Sequence, residues 1–129
     1  MNKSLLGLIV SVFMVASMGD LYAQKNFTLE ADNAYKGEQY FSAVTLYKKA
    51  YIKESDRKTK IRILYNIGQC YRFIQQPENA ESWYKKAVKA GYPDENLKLY
   101  LADVYKVQGK YDEALEMYEA FKEDGGDPA

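Results

Sequence analysis

A chain of 129 residues with 18 basic and 18 acidic side chains is about one domain long and electrically balanced. It has no basic arm or stripe of the kind that neutralises phosphates, which argues against nucleic acid as a partner. With no histidine and one cysteine, Cys70, it lacks the commonest general base, any tetrahedral Cys/His metal site and any internal disulfide.

Residues 1–23 read as a secretory signal peptide. Lys3 supplies the positive start, Leu5 to Ala16 is an almost unbroken apolar run, and Leu21-Tyr22-Ala23 precedes the preferred cut before Gln24. Ser17-Met18-Gly19 offers the alternative cut. The run is shorter than the roughly 20 apolar residues that span a bilayer. No cysteine stands near its end, which excludes a lipoprotein anchor at that cleavage region. The expectation is an exported chain, periplasmic or outer-membrane-associated, from which the leader is cut.

Beyond the leader, apolar residues recur at three and four, and Gly and Pro fall between the periodic segments, Gly68 alone being internal. The pattern predicts six helices over 25–36, 40–54, 58–75, 77–90, 95–108 and 111–123. Pro77 suits the first turn of the fourth helix, Gly91 a left-handed cap after it, and Asp94 the N-cap of the fifth. No segment alternates apolar and polar as a strand does. Short connections make successive helices antiparallel neighbours. Cys70 is expected to be buried as a small apolar residue.

The pattern Tyr-x-x-Ala-x-x-x-Tyr recurs at Tyr40-Ala43-Tyr47, at Pro77-Ala80-Tyr84 and at Tyr111-Ala114-Tyr118, its alanines spaced by 37 and then 34 residues. Such a period marks stacked helical hairpins, which act mainly as surfaces for holding other molecules. Small residues let two backbones approach, and the aromatic residue one turn away fills the space beside them. The packing positions are therefore Ala43, Tyr47, Gly68, Tyr71, Ala80, Tyr84, Ala102, Tyr105, Ala114 and Tyr118. The longer first spacing implies an extra turn or loop around Ile52–Lys60.

Leu64-x-x-Ile67-Gly68-x-x-Tyr71, followed by Ala80-x-x-x-Tyr84 and Pro93, resembles the tetratricopeptide repeat. Leu101-Ala102-x-x-Tyr105 with Ala114 and Tyr118 continues it, with Lys98 where a large apolar residue is usual. Ala31, Ala34, Ala43 and Tyr47 form a weaker first copy, with polar Glu30 at an apolar site. The resemblance implies an all-α fold: a right-handed superhelical stack of three hairpins, about 24–57, 61–94 and 95–124, before a linker-like tail at 125–129. The tyrosine-rich repeats behind an Ala-Gln leader end are also similar to the N-terminal region of Bacteroidetes OmpA-like cell-envelope proteins.

In such stacks the first helix of each pair lines the concave side. The resemblance then places Thr28, Asp32 and Tyr35, then Arg62, Tyr65, Gln69 and Arg72, then Asn96, Leu99, Asp103 and Lys106 on a surface fit to grip a peptide or partner helix. Arg62 and Arg72 would flank Tyr65 as its centre; an ordinary solvated face is the alternative. The carboxylate clamp of chaperone-binding repeats is absent, since only Asn66 matches it. No phosphate loop or nucleophile elbow appears, and Asp112-Glu113 and Glu123-Asp124 sit at helix ends. The chain therefore reads as a non-enzymatic binding protein with no cofactor or metal. The expected role is a protein-interaction scaffold assembling or positioning an envelope complex; the alternative is a groove for secreted peptides or glycans. Leu115, Tyr118 and Phe121 are expected to leave an uncovered flank. That flank suggests a fragment of a longer protein, self-association through the open end, or a third pair stable enough without a cap.

Overall fold

The computed structural model describes residues 25–126, so the leader expected at 1–23 and the end of the tail lie outside the described residues. The described chain is all-α: α1 (Phe27–Lys36), α2 (Tyr40–Lys53), α3 (Arg57–Phe73), α4 (Pro77–Ala90), α5 (Asn96–Val107) and α6 (Tyr111–Glu123). Each helix packs chiefly on its neighbours in sequence, giving three antiparallel hairpins in a superhelical stack.

Local chemistry explains the boundaries. Asn26 accepts the Leu29 amide at 3.0 Å and opens α1. Asp56 accepts the Thr59 amide at 2.8 Å and opens α3. The extra residues of the first spacing enter a short loop, whose Ser55 and Asp56 amides Glu54 accepts, and an additional first turn of α3. Pro77 occupies the first turn of α4, and Gly91 caps its end at φ +80°. Asp94 accepts the Asn96 amide at 2.9 Å ahead of α5.

Two apolar clusters fill the stack. One joins Ala31, Ala43, Val44, Tyr47 and Ala50 of the first hairpin to Ile63, Ile67 and Cys70 of α3. The other joins Leu64, Ala80, Tyr84 and Ala87 to Leu97, Leu101, Val104, Tyr105 and Ala114. Tyr51, Tyr71 and Trp83 touch both. Ala102 and Gly68 are buried as well, while Tyr71 and Tyr118 are half-buried. Burial pushes the Cys70 thiol up to about 12, which keeps it protonated and inert. Phe121, expected on the open flank, is instead buried: the chain turns back after α6 and Gly126 lies against its ring. Leu115 remains exposed.

Candidate functional site

Each hairpin carries the same internal hydrogen bond. The Tyr47 hydroxyl donates to Asp32 at 2.7 Å, Tyr84 to Gln69 at 2.5 Å and Tyr118 to Asp103 at 2.6 Å. Donor and acceptor are 15 residues apart every time. The second helix thus latches to the first through a tyrosine whose ring packs on the apolar core and whose hydroxyl is held by a side chain of the first helix. Bonding to the Asp103 carboxylate, with burial second, pushes the Tyr118 hydroxyl up to about 12. Burial first, then the bond to Asp32, raises Tyr47 further still.

These latches change the reading of the expected groove. Arg62 forks onto Asp32 at 2.8 and 3.1 Å, and Asn66 donates to the Tyr47 hydroxyl at 3.0 Å. Burial alone would raise the Asp32 carboxyl, but the bonds from Arg62 and Tyr47 outweigh it and hold it below its ordinary value. Tyr65, expected as the exposed centre, is 9% exposed. Its ring stacks on Tyr92 at 4.3 Å, and Gln69 Nε2 donates to its hydroxyl at 2.5 Å. Gln69 is 6% exposed, so neither is open to a ligand. Thr28 donates to Glu54 at 3.2 Å, and Tyr35 lies half-buried beside Tyr40 and Tyr47. Asn96 and Lys106 are exposed; Leu99 and Asp103 are half-buried.

Arg72 remains at the edge of an open site. Its Nε donates to Gln69 and Tyr84, and its guanidinium lies 4.8 Å from the Phe73 ring centre and 4.5 Å from that of Tyr100. Beside it a cleft of about 470 Å3 is lined by Arg72, Gln75, Pro77, Asp103, Val104 and Val107. The preceding seam explains its origin. There Tyr35, Tyr40 and Phe73 fill the space between hairpins, with Tyr40 and Phe73 stacked at 4.7 Å. One repeat on, the same three positions hold Arg72, Pro77 and Val107. The aromatic filling is gone, and Val107 is left 75% exposed.

The cleft joins an apolar wall (Pro77, Val104, Val107) to a cation and a carboxylate, Arg72 and Asp103. It suits an apolar or aromatic side chain carried on a polar backbone. Counting along one helix face missed Gln75, Pro77, Val104 and Val107. Their signal was the exchange of Tyr40 and Phe73 for Pro77 and Val107 at matching repeat positions. Among the described residues no cluster of acids, cysteine or histidine could hold a metal, and no helix is long and apolar enough to cross a membrane.

Residues 61–90, which span α4 and most of α3, match the family model of the tetratricopeptide repeat. Over 56 residues, 43% of this chain, the sequence is 36% identical to the human protein O-mannosyl-transferase TMTC1, of which that stretch is 6%. The structure of Pseudomonas aeruginosa PilF is similar at a TM-score of 0.69 and 18% identity, covering 95% of this chain and 59% of that one. The chain thus spans a small part of the first relative and little more than half of the second, and the second likeness is one of fold. Residues 61–90 thus match a tetratricopeptide repeat, and the hairpins on either side of them continue the same helical stack.

Proposed function

We propose that this protein is an exported interaction scaffold that holds a partner polypeptide at the cleft between its second and third hairpins, helping to assemble or position a periplasmic or outer-membrane complex. The tetratricopeptide fold is that of a protein-interaction scaffold. The observation that carries the finer reading is the seam itself. The first seam is filled by three packed aromatic rings, with Tyr40 stacked on Phe73 and Tyr35 set at an angle to both, and the matching positions of the second carry none. An aromatic or large aliphatic side chain from a partner restores that packing. Arg72 and Asp103 are placed to take the polar groups on either side of it. The chain works by binding and not by catalysis, and its share of TMTC1 is too small to bring a transferase activity with it.

The test is a photo-crosslinking amino acid at Val107, with Lys89 on α4 as the control position, in cells expressing the full chain. One stoichiometric adduct at Val107 that Arg72→Glu abolishes supports the scaffold. A smear of many adducts favours transient binding of secreted peptides. Equal labelling at Val107 and Lys89 would sink the cleft as the site. Fractionation of the same cells tests export, which predicts a processed chain in the envelope fraction.

A further inference from the structure

We propose that the outer face of the third hairpin docks a basic amphipathic helix that presents an arginine and an asparagine four residues apart. The chain holds a template for this contact. In the first hairpin the Asp32–Tyr47 latch is closed from outside by α3, whose Arg62 grips Asp32 and whose Asn66, one turn on, grips the Tyr47 hydroxyl. Ile63, Ile67 and Cys70 beside them are fully buried against the first hairpin. The third hairpin makes the same latch, Asp103 to Tyr118 at 2.6 Å, but no described helix lies outside it. Its tyrosine is half-exposed, where Tyr47 and Tyr84 are fully buried.

The apolar seam is open in the same way. Val44 in the first hairpin is 7% exposed, whereas Leu115 at the matching position is 57% exposed. The intermediate case is Glu81, which the following hairpin holds through Gln108 at 2.9 Å and Lys110 at 2.7 Å. Around Leu115 the rim has changed character. Phe41, Thr45 and Lys48 line the first seam, and the matching residues are Asp112, Glu116 and Glu119.

Charge and shape then select the occupant. Two copies meeting face to face would bring two such acidic rims together. A second copy stacked head to tail would offer α1, whose matching face carries Asn26, Glu30 and Asn33 where α3 carries Ile63, Ile67 and Cys70. Apart from Leu29, which stands at the position of Asn66 and is 56% exposed, that face is polar, and it offers no apolar stripe like that of α3. A helix of α3 type satisfies both demands. α3 has five basic residues, no acidic one and an apolar stripe beside Arg62 and Asn66. The outer face of the third hairpin shares Asp103 with the cleft at Val107, but Leu115 belongs to the outer face alone and Val107 to the cleft alone, so substitutions at those two positions let either reading fail without the other.

A labelled, hydrocarbon-stapled helix with the sequence of residues 57–73, carrying Cys70→Ser, is the probe, titrated into the full chain by fluorescence anisotropy. The expected result is saturable binding that weakens as salt rises. Leu115→Lys or Asp103→Asn in the protein, or Arg62→Glu in the peptide, should weaken it at least about tenfold. Val107→Glu in the protein should leave it unchanged. Absence of saturation up to roughly 1 mM, or binding indifferent to Leu115→Lys, would overturn the proposal. So would a dimer of the free protein in sedimentation that Leu115→Lys dissolves, because the occupant would then be a second copy.

Discussion

At Gly68 the backbone of α3 passes against the ring of Tyr84. A Cβ placed there would lie 2.5 Å from ring carbon Cδ1. The matching residues of the other hairpins are Ala31 and Ala102, both accommodated and fully buried. Tyr84 has no room to retreat, because it is fully buried and its hydroxyl is held by Gln69 and Arg72. Overpacking of this kind costs about 1–3 kcal/mol. The gain in helix propensity from Gly to Ala is about 1 kcal/mol. Gly68→Ala is therefore expected to lower stability by up to about 2 kcal/mol, read from urea unfolding. A variant as stable as the parent would show that Tyr84 can move. The small residue was legible in the sequence because the repeat demands one there. The burial of Tyr65 was not. It depends on Tyr92, which follows the turn at Gly91 and returns to stack on the ring, a contact between residues 27 apart that no helical periodicity contains.

Between the helices of each hairpin the chain makes one turn three times. Glu38, Gln75 and Gly109 occupy matching positions at φ of 58°, 58° and 74°. The following amide returns to the first helix each time: Gln39 to Ala34, Gln76 to Tyr71 and Lys110 to Tyr105, at 2.8 to 2.9 Å. This left-handed exit costs a side-chain-bearing residue about 1–2 kcal/mol, and glycine escapes most of it. Part of that relief is lost to the greater freedom of glycine in the unfolded chain. Glu38→Gly and Gln75→Gly should each raise stability by up to about 1 kcal/mol, and Gly109→Ala should lower it by a similar amount. Denaturant midpoints compared at constant slope check all three. At this scale the helices themselves were legible, with ends displaced by one or two residues. The turns at Glu38 and Gln75 were not, because neither residue advertises a positive φ. The cleft escaped notice for a related reason. A site made by the loss of aromatic rings shows only when the repeats are laid over one another in three dimensions.

Across the whole molecule, stability should fall away from the middle of the stack. α3 and α4 are packed on both sides, by the first hairpin and by the third, and Tyr71 and Trp83 on these helices touch both apolar clusters. α6 is packed on one side, with Leu115 and Tyr111 exposed on the other. In a linear repeat array each hairpin is stabilised mainly by its neighbours, so an end unit opens at lower cost than an inner one. Native-state hydrogen exchange followed by mass spectrometry should therefore show amides of 111–123 exchanging before those of 63–73. The first hairpin should fall between them, because α1 turns Asn26, Glu30 and Asn33 outward with Leu29 as its exposed large apolar residue, whereas the third hairpin leaves both Leu115 and Tyr111 uncovered. Uniform exchange across the three hairpins would mean that the stack opens as one cooperative unit, with the bridging residues Tyr51, Tyr71 and Trp83 coupling the two clusters fully. A gradient running the other way, with α1 and α2 opening first, would mean that the contact between Arg62 and Asp32 adds little to the first hairpin and that the exposure of Leu115 costs α6 little.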